Sequence, residues 1–356
     1  MAGATEFLVK PFNLPEVPSP RREILAREVE KLKARDDVLA IGIAGSTAYG
    51  DTWFGSDLDI EVVVKGDKPK QILTTEQEIS VDFGIFGENN LKEIPYDTRP
   101  VYDPAGILTR ELSSRNRDEL IERDIQEGLD RGRSFLERGE IIQPKDPYSA
   151  LVFVHLAAWQ VGYAIPPATG ENRTIRRTVT RLEKGVTKIG RQDLLGMFGK
   201  LFGFPRTLQR VDELMVELQE GYREIWSYFK EKGAGPVYMQ QQPDSEAWFR
   251  NRIKPLYEHD RRDLVWLVYV EFPFVLSFIL RLAGHVKVPA NVFEEADKIK
   301  GQPELWTDRY RRILSMFTPE EIRVLLQTSR DLIDEVKKLS ELRLWARHTE
   351  ARHDSQ

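Results

Sequence analysis

Residues 38–64, VLAIGIAGSTAYGDTWFGSDLDIEVVV, contain two apolar runs separated by a glycine-rich segment. The first run, Val38–Ala44, is a short apolar stretch of the kind that forms a buried strand. It ends at Gly45-Ser46, where the glycine permits a tight turn. The second run, Asp57–Val64, alternates acidic with apolar residues before it becomes wholly apolar, which predicts a strand with one acidic face. The sequence therefore predicts two strands of one sheet, joined by a turn and a short helix.

The residues on either side extend this small sheet. Residues 21–36 have apolar side chains at helical spacing and charges on the other face, which predicts an amphipathic first helix. Residues 79–86, ISVDFGIF, alternate again and predict a third strand. Residues 101–108, VYDPAGIL, indicate a short strand followed by a turn in which Asp103 is the turn-forming residue.

From about Ser113 onward the apolar spacing is that of helices, and it stays so to the end of the chain. We expect helix boundaries at prolines and glycines, because both interrupt helices. The clearest helical segments are 119–139, 148–165, 208–232 and 319–348, and the predicted boundaries are Pro144, Pro147, Pro166-Pro167, Gly233–Pro236 and Pro289.

These patterns predict an α+β protein with two domains after a proline-rich lead-in. The lead-in is residues 1–20. The first domain, residues 21–112, has a small mixed sheet with flanking helices. The second, residues 113–350, is a large α-helical domain. A chain of 356 residues suits two domains of ordinary size.

The composition excludes several classes of function. The chain has 57 acidic and 52 basic residues and a formal net charge of −5. Proteins that bind long nucleic acids usually carry a basic excess, so nucleic acid is disfavoured as a partner and a small cationic substrate or a metal–nucleotide complex is favoured. The absence of cysteine excludes disulfides, thiolate nucleophiles and cysteine-ligated metals. The N-terminus does not follow the pattern of a secretory signal, which predicts a cytoplasmic protein.

One stretch, Leu264–Leu280, is almost apolar enough to span a membrane. Glu271 and Pro273 lie near its middle, and both are costly in a lipid-facing helix. We therefore predict a buried helix of a soluble domain and no membrane partner. Glu271 is then either a buried, paired carboxylate or a group that faces a pocket.

The residues that carry chemistry are the acids of the second predicted strand. Asp57 and Asp59 are two apart and project from the same face of the strand, with Cα atoms about 7 Å apart. Two neighbouring carboxylates repel each other unless a cation neutralises them, and Mg²⁺ prefers carboxylate and phosphate oxygens. Two such ions would form the clamp used in phosphoryl and nucleotidyl transfer. Gly45 lets the backbone approach a phosphate closely, and Asp82 on the next predicted strand supplies a third acid.

Gly45-Ser46, ten further residues, Asp57-Leu58-Asp59-Ile60 and then the acid of Val81-Asp82-Phe83 resemble the motif of the DNA polymerase β-type nucleotidyltransferase superfamily. The fuller form, with a second glycine and with Ser56 before the first aspartate, is similar to the kanamycin and streptomycin nucleotidyltransferases. The core motif covers 16 residues, and the resemblance extends to about residue 110.

The resemblance implies a catalytic nucleotidyltransferase domain over residues 21–112 and an acceptor-binding helical domain after it. Asp57 and Asp59 would bind two Mg²⁺ ions, with Asp82 as the third ligand or the general base. Gly45 and Ser46 would hold the triphosphate with help from Ser56. An acceptor hydroxyl would attack the α-phosphorus of an NTP, ATP being the first choice, and pyrophosphate would leave.

Several residues have a second interpretation. Asp82 could simply face water, and Glu61 could be a base or an outer ligand, although a solvated or salt-bridged side chain is the favoured interpretation. Glu271 is a further candidate for the general base. Arg173 could contact the β- or γ-phosphate or belong to a solvated helix start. His155 is expected to be a satisfied core histidine rather than a ligand.

The acceptor is open at this stage. The favoured acceptor is a small hydroxylated molecule, and an aminoglycoside-like antibiotic is the class we name, because a cationic acceptor agrees with the acidic balance of the chain. The protein would then be an antibiotic-resistance transferase. The alternatives are transfer to a tRNA 3′ end or a protein hydroxyl, a toxin–antitoxin type transferase, and an inactive binding module. The sequence also leaves open whether the protein is a homodimer.

Overall fold

The structure, a computed structural model, describes residues 17–48, 50, 52, 56–66, 70–76, 79–169, 171, 177–242, 244–257, 259–299, 301 and 303–341. The chain divides into two compact units. The first extends to Leu120 and also includes Gln241–Pro243 and Arg250–Pro255. The second comprises Ile121–Gln240, Asp244–Phe249 and the residues from Leu256 onward. A sheet in the N-terminal part is followed by many helices, which is the mixed α and β organisation that the sequence predicts.

The described part of the first unit contains a five-stranded sheet in the order β3-β4-β2-β1-β5. β2 and β4 are parallel, and the other neighbouring strands are antiparallel, so the sheet is mixed. The three strands predicted from sequence, β1, β2 and β4, are its centre. The strands are β1 (Val38–Ala44), β2 (Leu58–Val64), β3 (Lys70–Glu76), β4 (Ile79–Gly87) and β5 (Arg99–Tyr102).

The two faces of this sheet differ in chemistry because side chains alternate along each strand. One face packs against helix α1 (Arg21–Lys33) through a buried apolar core. The members of that core from the three central strands include Ile41, Ile43, Leu58, Ile60, Val62 and Val81. The opposite face carries acids and glycines at the intervening positions of the same strands, among them Asp59, Glu61, Asp82 and Gly84.

The edge strand β3 has no clear sequence pattern. Its sequence, KQILTTE, is polar at most positions, and only Leu73 is buried. An edge strand has a partner on one side only and buries little, so its alternation is weak. The pairing of β3 with β4 in register from Lys70 to Glu76 is what places its polar side chains beside the acidic face.

The helices follow the 3.6-residue spacing of apolar residues. The predicted segments 119–139 and 148–165 lie within α4 and α5. The segment 208–232 covers the end of α8 and all of α9, and α16 covers the described part of the segment 319–348. After α1, the described helices are α2 (Gly45–Ala48), α3 (Ile107–Ser113), α4 (Arg117–Ile142), α5 (Pro147–Ala168), α6 (Thr178–Lys188), α7 (Gln192–Leu201), α8 (Phe204–Gln209), α9 (Val211–Lys232), α10 (Val237–Gln241), α11 (Ser245–Arg252), α12 (Lys254–Tyr257), α13 (Arg261–Leu282), α14 (Val292–Asp297), α15 (Pro303–Leu314) and α16 (Pro319–Glu341).

Two of these helices, α5 and α13, are long and apolar enough to cross a membrane by length and composition alone. In the structure, 78% and 83% of their apolar windows are buried. Burial on this scale is what the central helices of a globular unit show, because a helix that is apolar all round needs protein on every side. α13 includes the Leu264–Leu280 stretch and continues through Pro273.

One predicted helix boundary is wrong. Pro166 and Pro167 lie inside the last turn of α5, which continues to Ala168. A proline near the C-terminal end removes few helical hydrogen bonds, and the end is closed by Thr169, whose backbone N–H donates to Ile165 O and Pro166 O at 3.0 and 3.1 Å. The expected break at Gly233 is present, since this residue adopts φ +60° directly after α9.

Candidate functional site

An open cavity of about 570 Å³ lies on the acidic face of the first unit's sheet. Its lining includes the end of β1, parts of β2, β3 and β4, and the segment before β5. Four of the lining residues are acidic and one is a lysine. They are Asp59, Glu61, Asp82, Asp97 and Lys70.

The turn after β1 is in close contact with the β2 acid. Gly45 has φ +61°, a left-handed conformation that glycine adopts without strain. A Cβ atom at this position would lie 2.1 Å from Asp59 Oδ2. The absence of a side chain at Gly45 therefore makes the room that the Asp59 carboxylate occupies, and it explains why a glycine in this turn and an aspartate in β2 occur together.

Asp82 lies beside Asp59 because β2 and β4 are parallel and these two residues are register partners. Both line the cavity. Asp82 is not fully exposed to water, and its Oδ2 accepts a hydrogen bond of 2.7 Å from Gln71 Nε2. Asp82 is therefore partly exposed, lies beside Asp59 and has a side-chain donor on β3.

Glu61 is buried, with 7% exposure, and it also lines the cavity. It fills space that glycine leaves, since a Cβ at Gly84 would be 2.0 Å from Glu61 Oε2. Within the described residues, that oxygen has no hydrogen-bond partner. Burial, reinforced by the charges of Asp82 and Asp97, raises the pKa of Glu61 to about 8. The favoured interpretation of Glu61 as solvated or salt-bridged is therefore wrong, because the pleat directs it into the sheet face between strands.

Asp97 is a member of the cavity that sequence analysis did not identify. It lies between a single 3-10 turn, Leu91–Glu93, and β5. The local sequence, Pro95-Tyr-Asp-Thr98, reads as an ordinary turn, and no spacing relates it to the acids of β2. Its proximity to Glu61 depends on the fold of the sheet and has no local signal.

Asp57 and Ser56 occupy a different position from the cavity acids. Asp57 does not line the cavity. It is near the buried Arg21, whose pKa is lowered by burial and raised in part by the Asp57 charge. The Arg21 guanidinium donates from Nε and Nη2 to Ser56 O at 3.0 and 2.8 Å. Helix α1 thus fixes the entry to β2, and Ser56 contributes its carbonyl to that contact.

The other predicted site residues are placed as follows. Ser46 is half-buried in α2, which is a single helical turn. Arg173 lies outside the described residues. Asp103 is the predicted turn-former, because its carboxylate accepts hydrogen bonds from Thr109 N and Thr109 Oγ1 at 2.8 and 2.7 Å.

The donors around the cavity are carboxylate oxygens, which are the ligands that hard divalent cations prefer. The neighbouring pair Asp59 and Asp82 fits the one or two protein carboxylates that Mg²⁺ takes alongside phosphate oxygens and water. In the described part of the chain, no three acidic or histidine side chains converge into a group that could hold a metal by themselves.

Two buried titratable groups of the helical unit, Glu271 and His155, have hydrogen-bond partners. Glu271 is 8% exposed and accepts hydrogen bonds from Tyr222 Oη and Tyr238 Oη at 2.6 and 3.1 Å. It is a paired carboxylate, the first of the two predicted alternatives. His155 is fully buried among aromatic rings, with Nε2 3.3 Å from Leu201 O. Burial lowers the pKa of His155 to about 3, so the ring is neutral.

Comparison with known proteins adds no relative. No protein-family model matches the chain, and no curated protein matches it at a significant level. The interpretation of the site therefore rests on its residues and on the motif around Gly45, Asp57 and Asp59.

Proposed function

We propose that the chain is a Mg²⁺-dependent nucleotidyltransferase that transfers NMP from an NTP, with ATP as the first candidate, to a hydroxyl of a small molecule. The observation that carries the proposal is the contact between the Gly45 turn and the Asp59 carboxylate, with Asp82 adjacent on β4. A turn with no side chain beside two carboxylates suits a metal–triphosphate, which needs close backbone approach and hard oxygen ligands together.

In this proposal Asp59 and Asp82 would hold Mg²⁺ from the cavity lining, and Asp57, the residue directly before β2, would be a further ligand. The ion supplies positive charge against the triphosphate and the developing transition state. Gly45 and Ser46 contact the phosphates, and Ser56 keeps the loop to β2 in place through its contact with Arg21.

The reaction transfers a nucleotidyl group in one displacement. The acceptor hydroxyl oxygen forms a bond to the α-phosphorus, and the bond between that phosphorus and the bridging oxygen to the β-phosphorus breaks. Pyrophosphate leaves with that oxygen, and the hydroxyl proton passes to a carboxylate of the site, for which Asp82 is the candidate when it does not complete the metal ligands. Holding the two reactants in line supplies most of the rate enhancement.

The acidic residues of the cavity favour an acceptor that carries positive charge. Three aspartates against one lysine create a negative potential, which attracts cationic molecules, whereas Glu61, with a pKa of about 8, adds little charge at neutral pH. An aminoglycoside-like antibiotic, with several ammonium groups and hydroxyls, is the acceptor class that we propose on this basis.

Pyrophosphate release tests the proposal. The protein is incubated with each NTP and Mg²⁺ against a panel of aminoglycosides, tRNA and small metabolites, with Asp59→Asn as the inactive variant. Asp37→Asn is the matched control, because Asp37 is an exposed acid of the same unit that pairs with Arg35. We expect acceptor-dependent release with an aminoglycoside, lost in Asp59→Asn and kept in Asp37→Asn. Release that needs tRNA, or release that survives in Asp59→Asn, would overturn the proposed acceptor or the proposed site respectively.

A further inference from the structure

The edge strand β3 carries an unusual contact on its outer side. A sheet edge normally exposes unpaired backbone N–H and C=O groups. Here a single glutamine side chain pairs with two of them: Leu73 N donates to Gln241 Oε1 at 2.6 Å, and Gln241 Nε2 donates to Gln71 O at 3.2 Å. One primary amide thus makes the two hydrogen bonds that a further strand would make.

The next residue reinforces this contact. Gln242 is 3% exposed, and its Oε1 accepts a hydrogen bond of 2.7 Å from Thr75 Oγ1. Both glutamines are far from β3 in sequence, but they belong to the same compact unit as the sheet. We refer to Gln241 and Gln242 as the glutamine clamp of β3.

The clamp is one residue away from the cavity acids. Gln71, whose carbonyl accepts from Gln241, donates its own side-chain N–H to Asp82 Oδ2 at 2.7 Å. In the antiparallel register Gln71 is opposite Gly84, two residues beyond Asp82, so Gln71 and Asp82 share one face as diagonal neighbours.

Gln71 is an exposed residue on an edge strand, where a long side chain has many rotamers. Its donor is useful to Asp82 only if the backbone of β3 stays in register, and the clamp holds that backbone on the side opposite β4 at Gln71 and Leu73. Outer partners of this kind fix the orientation of a carboxylate that binds a metal.

We propose that Gln241 and Gln71 are positioning residues for Asp82: Gln241 fixes the edge strand, and Gln71 fixes the orientation of the Asp82 carboxylate toward a divalent cation. The cation and the reaction rest on the proposed nucleotidyl transfer. The hydrogen-bond relay from Gln241 through β3 to Asp82 does not depend on it.

The test compares three variants of the full chain. Gln241→Leu removes the clamp amide, and Gln71→Met removes the donor to Asp82 but keeps an unbranched side chain. Gln240→Leu is the matched control, because Gln240 is the neighbouring glutamine and is exposed. Its side-chain Nε2 donates a hydrogen bond to Gly235 O, outside β3. The readouts are hydrogen exchange of the Leu73 amide, Mn²⁺ affinity measured by electron paramagnetic resonance, and kcat and KM for pyrophosphate release.

We expect Gln241→Leu to speed exchange at Leu73 by about tenfold or more and to weaken Mn²⁺ affinity by about tenfold, the low end for an outer partner of a metal ligand. Gln71→Met should weaken Mn²⁺ affinity by a similar factor with exchange at Leu73 unchanged. Both should lower kcat more than they raise the KM for the NTP. The double variant should be close to the worse single variant, because the two residues act in series.

Faster exchange at Leu73 in Gln241→Leu with wild-type Mn²⁺ affinity would overturn the proposal, since the clamp would then be structural only. Mn²⁺ affinity that Gln71→Met leaves unchanged would overturn it as well. If the wild-type protein releases no pyrophosphate with any acceptor, the proposed reaction fails, and the Mn²⁺ and exchange measurements still decide the positioning role.

Discussion

Glu61 of the first unit and Glu271 of the helical unit are buried to nearly the same extent, with 7% and 8% exposure. Their surroundings are opposite. Glu271 accepts hydrogen bonds from two tyrosine hydroxyls, whereas Glu61 has an oxygen without a hydrogen-bond partner among the described residues and lies near two further acids. Burying a carboxylate costs free energy unless donors or cations compensate it. The helical unit provides donors to Glu271 from within, whereas the raised pKa of Glu61 means that protonation relieves part of the cost of its burial.

The largest effect that we expect is on activity, which should depend on the acids of the first unit's cavity and not on Glu271 of the helical unit. Asp59→Asn removes the negative charge beside the Gly45 turn, and we expect kcat for pyrophosphate release to fall about 10³-fold, the size of effect typical when one electrostatic contact to a transition state is lost. Glu271→Gln keeps the shape of a buried side chain far from these residues in sequence and should change kcat less than threefold, or about 0.6 kcal/mol. Equal losses in the two variants would contradict the comparison.

The second prediction concerns stability, for which we expect the larger loss at Glu271 and little or none at Asp59. Glu271→Ala leaves the hydroxyl of Tyr222, which is completely buried, without this acceptor and creates a cavity, so we expect the free energy of unfolding to fall by about 2–4 kcal/mol. Denaturant titration measures this loss. Asp59→Asn should leave stability unchanged or raise it, because it relieves repulsion among the cavity acids. A destabilised Asp59→Asn would mean that the cavity acids are structural.

A third prediction concerns the space that Glu61 occupies. Gly84→Ala places a methyl group 2.0 Å from the present position of Glu61 Oε2, so the carboxylate must move. We expect a loss of about 1–3 kcal/mol in the free energy of unfolding, the usual cost of overpacking, together with weaker Mn²⁺ binding.

The matched control is Gly196→Ala in α7, where a Cβ meets nothing within 4 Å. That variant should be neutral or stabilised by up to about 1 kcal/mol, because alanine has the higher helix propensity. If Gly84→Ala behaves like Gly196→Ala in both measurements, the Glu61 geometry described above is incorrect.

The smallest effect is a pH dependence within the helical unit. His155 is buried and neutral with a pKa of about 3, whereas an unfolded chain has a histidine pKa of about 6.5. As pH falls below 6.5 the unfolded state binds a proton that the folded state does not, so stability decreases by at most about 1.4 kcal/mol per pH unit. His155→Phe, which suits the surrounding rings, should remove this slope between pH 6.5 and 5.5.

His285→Gln, a change at a partly exposed histidine, should retain the slope of the wild-type protein. Thermal denaturation at several pH values measures it. A slope that persists unchanged in His155→Phe would show that another group is responsible for the acid sensitivity.

The central strands of the first unit could be predicted from sequence, because β1 is a short apolar run and β2 and β4 contain alternating stretches. The start of α1 and both bounds of β1 were likewise predictable, whereas α1 ends three residues before the predicted end at residue 36. β3 could not be predicted, since an edge strand buries only Leu73 and so has no alternating signal.

The site was predictable only in part, and for a related reason. Asp59 and Asp82 belong to strands whose alternation assigns them to one face, so their proximity follows once the strands are known. Asp97 and Gln71 reach the cavity through pairings between separate segments, which local patterns do not encode. Asp57, two residues before Asp59, is near Arg21 and is not among the residues that line the cavity, and no pattern in the sequence indicated that contact with the first helix.

The most direct test of the account is the binding of ATP measured by isothermal titration calorimetry with and without Mg²⁺. The wild-type protein should bind ATP only when Mg²⁺ is present. The double variant Asp59→Asn/Asp82→Asn should lose at least about 100-fold in affinity, while Glu271→Gln should bind as the wild type does. Binding that is independent of Mg²⁺, or that survives in the double variant, would contradict the claim that the acidic cavity of the first unit is the metal–nucleotide site.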